Sequence, residues 1–330
     1  MKKNIVISNG DPGGIGGQII VRALNKLLQE ERGINKYNFI ILGDLKYYNF
    51  ICDRLNVSKF WDKVILPERF IRVNDLGRVV LVNFNNVNEY NLGTTNALYG
   101  KACIEYLGYA IDLYKRGILG ALVTAPICKK SIWEAGYKYV GHTHYLAVKL
   151  RRKNVIMSML SDVIKVFFVT DHIAFSSVPK QLKVIRIKEA IQAAIKYLER
   201  LNSKEKHKIG VCSLNPHAGE GGIFGIDEKY IIEACRQWDK HSYDIIGPLA
   251  PEVCFKRAVN GEFAAVVAMY HDQGMIPFKL FSRGEGINAT WGLPFVRVSP
   301  EHGTAFDIAK DFVADEKSML NALKFAIKDF

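Results

Sequence analysis

Strand-like apolar runs alternate with amphipathic helices along most of the chain, and this alternation restricts the fold more than any other feature of the sequence. IVIS, FIILGD, VVLVNF, ALVTAPI, VIKVFFVT, KIGVCSL and AAVVAMY read as buried strands, being short and largely apolar. Helical spacing of apolar residues runs through QIIVRALNKLLQEER, ACIEYLGYAIDLYKRG and IKEAIQAAIKYLERL. This order predicts an α/β fold with largely parallel sheets, because each return to a parallel neighbour needs a crossover connection.

At 330 residues the chain exceeds the roughly 250 to 300 at which a single core stops growing, so two lobes are expected. They are assigned to residues 1–128 with 298–330, and to 129–297. The apolar stretches fall well short of the roughly 20 residues a membrane span requires, and IVIS is too short for a signal-peptide core. Six scattered cysteines without a CxxC pair suit reduced thiols in a cytoplasm. The net charge of +12 is compatible with anionic partners. The lysines are dispersed, however, and no basic helix interleaved with aromatics argues for nucleic-acid binding.

Ligands of α/β folds collect where strands end, so polar residues just past the apolar runs are the first candidates for a site. IVIS opens into NGDPGGIGGQ, whose glycines could set helix-terminal amides against an anion. No GK[ST] follows to make a P-loop, and the third glycine of a dinucleotide fingerprint is missing from its position. Asp44, after the next strand, would suit a ribose or cap the following helix. His172, His217 and His271 each follow an apolar strand. Three such imidazoles can converge on one divalent metal, or remain three separate structural histidines. Lys279, Arg283, Asn288 and Arg297 supply phosphate- or carboxylate-binding chemistry, with ordinary surface charge as the alternative. His142, Thr143 and His144 stand at a glycine-preceded helix start, where Thr143 could be only a cap. His302, Gly303, Thr304 and Asp307 share a loop near the C-terminus, where Asp307 could equally cap a helix.

Taken in order from residue 10 to residue 309, GDPGGIG, VTAPICK, GHTHYLA, TDHI, LNPHAGEGG, GPLAPE, MYHDQGMIPFK, INATWGLPFVRVS and HGTAFDIA resemble the 4-hydroxythreonine-4-phosphate dehydrogenase family of pyridoxal phosphate biosynthesis. LNPHAGEGG and MYHDQG are its most specific segments. The resemblance implies a homodimer with the two-lobed architecture of isocitrate and isopropylmalate dehydrogenases, its active site between lobes and shared across the dimer. It implies that His172, His217 and His271 bind a divalent metal (zinc, magnesium or cobalt), the last crossing from the partner subunit. His142, Thr143, Lys279, Asn288 and Arg297 would bind substrate, with Lys279 and Asp272 catalytic. Gly303, Thr304 and Asp307 would face NAD, or NADP, from the first lobe, while the second would carry the metal ligands and dimer contacts. The chain departs from the family pattern at Gly17 and Gln18 (usually Pro-Glu), His144 (Glu), Asp171 (Thr), Glu252 (Asp) and Lys310 (Gly).

The implied reaction oxidises a phosphorylated hydroxy-amino acid, 4-hydroxythreonine 4-phosphate, to a 3-oxo acid that loses carbon dioxide to give 3-amino-2-oxopropyl phosphate. Three alternatives stay open at this level: a related dehydrogenase for another phosphorylated hydroxy acid, a metal-dependent phosphohydrolase that activates water with the same histidines, and a nonenzymatic phosphometabolite-binding protein.

Overall fold

The protein is seen as a computed structural model that describes residues 3–30, 34–70, 76–201, 207–236, 238 and 243–328. It divides into two compact units, Met1–Lys153 with Leu293–Phe330, and Asn154–Gly292. The first contains β1 (Lys3–Ser8), α1 (Gly16–Glu30), β2 (Tyr37–Gly43), α2 (Leu45–Leu55), β3 (Lys63–Ile65), β4 (Val79–Asn83), α3 (Ala97–Lys115), β5 (Ala121–Thr124), α4 (Lys129–Glu134) and α5 (His142–Lys149). The second contains β6 (Ile156–Leu160), β7 (Lys165–Phe168), α6 (Val178–Gln181), α7 (Val184–Arg200), β8 (His207–Cys212), α8 (Glu228–Cys235), β9 (Tyr243–Leu249), α9 (Pro251–Val259), β10 (Ala265–Ala268), α10 (His271–Ser282) and β11 (Ile287–Trp291). The chain then completes the first unit with β12 (Val296–Pro300) and α11 (Lys317–Lys328).

Strands of the first unit lie in the order β3-β4-β2-β1-β5-β12, and their pairings are parallel. Ile5, Val6 and Ile7 of the inner strand β1 are wholly buried, which is why that strand reads as a continuous apolar run. The second unit has the order β11-β6-β7-β10-β8-β9. It is parallel from β7 to β9, while β6 runs antiparallel to both β7 and β11. No helix among the described residues is long and apolar enough to cross a membrane.

Each of the seven apolar runs contains a strand, and the three expected helices appear as α1, α3 and α7. Glu31 and Arg32, the end of the first expected helix, lie outside the described residues. Sequence pattern missed β3, β6, β9, β11 and β12. Strand β9 contains a Gly-Pro pair, and β11 and β12 mix apolar residues with Asn, Thr, Arg and Ser, so neither template is met cleanly.

The units divide after Lys153 and Gly292, where sequence reading put the breaks after residues 128 and 297. The difference has a packing cause. Helix α4 presses so closely on α3 that a Cβ at Gly100 would run into the Ser131 carbonyl. On α5, the Tyr145 hydroxyl donates to the Ile104 carbonyl at 3.5 Å, and the Phe295 ring packs 5.1 Å from Tyr114. These contacts tie residues 129–153 and 293–297 to the first unit.

Because the atoms facing Gly100 are backbone and cannot swing aside, Gly100→Ala should destabilise the protein by about 1 to 3 kcal/mol, the usual cost of overpacking. Denaturant unfolding reads this as a lower midpoint. An unchanged midpoint would mean that α3 and α4 separate without cost.

Candidate active site

In the second unit, β7, β10 and β8 are neighbours and parallel, so their carboxyl ends emerge along one edge. Each is followed by one of the candidate histidines. The Thr170 hydroxyl donates to the Met269 carbonyl at 2.7 Å, tying the segment before His172 to the end of β10. Gln273, one turn into α10 and 8% exposed, accepts from the Met269 amide at 2.7 Å and donates to the Ser213 carbonyl at 2.8 Å, tying β10 to the end of β8. Gly274 lets α10 approach β7, since a Cβ there would lie 2.5 Å from the Phe168 ring.

This lacing brings the His172 and His271 rings to 5.2 Å between centroids. His271 Nδ1 lies 2.7 Å from the Asp272 carboxylate, and the His172 amide donates to the Asp171 side chain at 2.6 Å. A carboxylate on one ring nitrogen orients an imidazole and leaves the other free for a ligand. His217 is not brought into this pair. It sits in a turn of positive φ, with its ring 6.1 Å from that of Phe224. Among the described residues no group of three His, Cys, Asp or Glu side chains is close enough to hold a metal ion. Two imidazoles would suit zinc or cobalt better than magnesium, which prefers oxygen ligands. Lys279 follows on α10, two turns past Asp272, and Asn288 lies on β11 opposite Met159.

In the first unit, Arg297 occupies β12 beside β5, 3% exposed, and donates to the Thr124 hydroxyl at 2.8 Å. Burial lowers its pKa to about 9, which leaves it cationic at neutral pH. His142 opens α5, and its Nε2 is buried with no partner. Burial, and then the Arg297 charge, hold its pKa well below the usual histidine value, against the raising effect of a hydrogen bond to the Ala125 backbone. It is therefore a neutral imidazole at neutral pH. Thr143 is half-buried, whereas His144 is exposed, its ring 5.8 Å from Tyr139.

Four amides of the glycine loop after β1, those of Asp11, Gly13, Gly14 and Ile15, are spent on partners within the protein. Asp11 N–H donates to the Pro126 carbonyl, Gly13 N–H to the Asp11 carboxylate at 2.8 Å, Gly14 N–H to the Asp11 carbonyl, and Ile15 N–H to the Thr304 carbonyl at 3.0 Å. Its glycines allow close packing instead: a Cβ at Gly14 would lie 2.7 Å from the Thr304 carbonyl. The loop is thus a seat for the Gly303–Thr304 segment. Gly303 itself has open space where a Cβ would stand, so nothing in its own chain requires glycine there. Asp307 is exposed in a run of turns and caps no helix. Asp44 neither caps α2 nor faces solvent. Its buried carboxylate accepts from Asn86 N–H at 2.5 Å and from the Tyr106 hydroxyl.

Sequence reading missed Gln273, Thr170, Thr124 and the role of Asp11. Only Gln273 carries a local signal: Gln at the third helical position reaching back to the chain before the helix, as in a capping box.

Parallel strands with histidines following their carboxyl ends are the arrangement in which α/β enzymes bind their ligands. The chain belongs to the family described as pyridoxal phosphate biosynthetic protein PdxA, which it matches over residues 22–326. It is 34% identical to the D-threonate 4-phosphate dehydrogenase of Salmonella typhimurium, over 99% of this chain and 98% of that one. It is 35% identical to the 4-hydroxythreonine-4-phosphate dehydrogenase of Sulfurihydrogenibium sp., over 98% and 97%. The crystal structure of a 4-hydroxythreonine-4-phosphate dehydrogenase from Burkholderia phymatum superposes with a TM-score of 0.77 at 30% identity, covering 99% of this chain and 98% of that one. At the level of fold alone, a beta-decarboxylating dehydrogenase from Thermococcus kodakarensis aligns with a TM-score of 0.53 at 11% identity, covering 99% and 83%. The protein is a dehydrogenase, and the hydrolase and binding-protein alternatives do not stand.

The buried Asp11 carboxyl is pushed from its ordinary value of 3.8 up to about 6 by desolvation, against the lowering effect of hydrogen bonds from Gly13, Ser131 and Cys128. The folded chain therefore holds this proton more tightly than the unfolded chain. Its contribution to stability should fall by roughly 3 kcal/mol as pH rises from about 4 to about 7. Asp11→Asn, which keeps an oxygen for Gly13 N–H, should be more stable than wild type at pH 8 and about equal to it at pH 4. Parallel denaturation curves at the two pH values test this, and an equal difference at both would refute it.

Proposed function

We propose that the protein catalyses the metal-dependent, NAD-linked oxidation of 4-hydroxythreonine 4-phosphate at C3, followed by decarboxylation of the 3-oxo acid to 3-amino-2-oxopropyl phosphate. The observation that carries this reading is the His172–His271 pair on an edge of adjacent parallel strands, within a chain of the PdxA family. In balance, the C3 hydrogen leaves with its electron pair and the hydroxyl proton leaves to a base, giving ketone and reduced nicotinamide. The C1–C2 bond then breaks toward C2, carbon dioxide departs, and C2 takes up a proton. Bound nicotinamide would accept the hydride, and a bound divalent cation would polarise the alcohol and stabilise the enolate formed on decarboxylation.

The chain's own residues orient these partners. Asp272 fixes the His271 ring through Nδ1, so it is read as a positioning group and not as the base. Arg297 offers a fixed guanidinium to a phosphate or carboxylate. His142, donating to Ala125 and keeping Nε2 as an acceptor, suits a substrate hydroxyl or ammonium, with Thr143 beside it and Asn288 supplying a further polar contact. Lys279 is assigned to anion binding and proton transfer. Gly303, Thr304 and Asp307 are assigned to the cofactor: open space at Gly303 allows close backbone approach, and the exposed Asp307 carboxylate suits ribose hydroxyls, favouring NAD over NADP.

The reading includes a homodimer. Phe175, Ile223, Ile226, Ile276 and Leu280 are 65–76% exposed, and they flank all three candidate metal histidines. Exposed apolar side chains gathered around a polar site mark an interface. Within one chain His217 stands apart from the His172–His271 pair, so the third ligand is read as crossing between copies, with His217 as the crossing residue where the family resemblance implied His271. Six free cysteines fit a cytoplasmic location.

A second substrate is favoured by a specific similarity. The Salmonella typhimurium relative is named for D-threonate 4-phosphate, which carries a C2 hydroxyl in place of the ammonium. Following NAD reduction and carbon dioxide release together with each compound separates the two. Turnover of D-threonate 4-phosphate alone would move the assignment to that substrate, and turnover of neither would overturn the reading.

Chelation should abolish turnover, and His172→Ala and His271→Ala should each lose zinc binding in calorimetry. Mixed dimers of His172→Ala with His217→Ala should recover activity, whereas His172→Ala with His271→Ala should not. The reverse pattern would return the crossing role to His271. Arg297→Lys should raise KM for the phosphorylated substrate roughly ten- to a hundredfold, since losing a charged hydrogen bond costs about 1.5 to 3 kcal/mol. An unchanged KM would take Arg297 out of substrate binding.

A further inference from the structure

The segment that carries His217 has an unusual backbone. His217 (φ 51°), Ala218 (φ 54°), Gly219 (φ 78°), Glu220 (φ 42°) and Gly221 (φ 65°) follow one another in the left-handed region. Glycine enters that region freely, but His217, Ala218 and Glu220 carry a Cβ that crowds the following carbonyl. Three such residues within four positions persist only where surrounding contacts over-determine them.

The contacts converge on one side chain. Glu228, the first residue of α8 and 6% exposed, turns its carboxylate under the segment. Oε1 accepts from the Leu214 amide at 3.2 Å and the Asn215 amide at 2.8 Å, and Oε2 accepts from Asn215 Nδ2 at 3.0 Å. The middle of the left-handed turn lies directly against the same group: a Cβ at Gly219 would stand 2.7 Å from Glu228 Oε2. Asn215 Nδ2 also reaches Asp227 at 3.2 Å, and the Ser213 hydroxyl donates to the Asn215 carbonyl at 3.0 Å. The turn is thereby fastened at its start, through Leu214 and Asn215, and packed at its middle, through Gly219, against the same carboxylate.

We propose that Glu228 is a positioning residue whose buried carboxylate holds the left-handed turn and so sets where the His217 imidazole is presented. Its effect on metal affinity rests on the reading of His217 as a ligand, whereas its effect on the turn does not. An acidic side chain is needed because three N–H groups point at it and a carboxylate accepts with both oxygens. In Glu228→Gln one acceptor becomes an NH2 group facing Asn215 Nδ2. In Glu228→Ala the Leu214 and Asn215 amides lose their partner, and Asn215 Nδ2 keeps only Asp227.

The test uses the full chain as wild type, Glu228→Gln, Glu228→Ala and His217→Ala, with zinc alone as the probe. Amide hydrogen exchange of the metal-free protein should speed up at least tenfold at Leu214, Asn215 and the turn in Glu228→Gln, and further in Glu228→Ala, while amides of β7 and β10 keep their protection. Zinc affinity, measured by calorimetry, should fall roughly ten- to a hundredfold in Glu228→Gln. His217→Ala should lose zinc while leaving exchange at Leu214 unchanged. Unchanged exchange in Glu228→Gln and Glu228→Ala would overturn the proposal. Faster exchange with zinc affinity unchanged in both Glu228→Gln and His217→Ala would instead overturn the assignment of His217 to the metal, leaving Glu228 as the residue that holds the turn.

Discussion

The two hydrogen bonds of the Gln273 side chain are the constraint on which the histidine edge depends. Parallel strands send their carboxyl ends the same way, but nothing in a ladder fixes how the segments beyond it are spaced. Gln273 does this by joining the amide at the end of β10 to the carbonyl at the end of β8 inside a buried setting. Buried amide groups without partners would cost more than the bonds return in water, so the arrangement is held by both its gain and the penalty for losing it. The Thr170 hydroxyl extends the same lacing to β7. His172 and His271 face each other as a result of these contacts and of the room that Gly274 leaves for α10.

The first unit solves a different problem, that of keeping charge in a dry place. Arg297 lies inside a parallel sheet, where a guanidinium is depleted of water, and its neighbour His142 is kept neutral partly by that charge. Asp11 is also buried, but it spends its carboxylate on the glycine loop, which in turn seats Thr304. Such groups lower stability relative to an apolar replacement of similar size. Natural chains retain such groups where a site needs fixed charge and fixed backbone, which is the use proposed for Arg297 and for the Thr304 segment.

Strain and satisfaction are also distributed unevenly in the second unit. The inner strands β7, β10 and β8 are largely apolar and paired on both sides, whereas the loop after β8 concentrates its positive-φ residues around His217 and answers them with one buried carboxylate. Five of the most exposed apolar side chains of the same unit, Phe175, Ile223, Ile226, Ile276 and Leu280, follow the candidate histidines along the chain. Strain held by surrounding contacts and apolar surface left uncovered are features that cluster at functional sites and interfaces, and the proposed metal site and dimer contacts draw on both.

Apolar periodicity alone was enough to determine the α/β class, seven strands, the helices that cross between them, and the edge from which the three histidines emerge, because burial on both faces of a parallel strand leaves an unmistakable run of branched residues. The motif segments likewise carried the family. What tertiary structure decided is of another kind. Arg297 read as an anion-binding residue or an ordinary surface charge, and only the folded sheet shows it buried on β12 beside Thr124. The glycine loop looked like an anion cradle and is a seat for Thr304, because amides can be spent on partners nearly 300 positions away in the chain. Gln273, Glu228 and the separation of His217 from its two companions were illegible for the same physical reason. Hydrogen bonds between strand ends depend on which strands are neighbours, and neighbourhood in a sheet is set by topology, not by order along the chain.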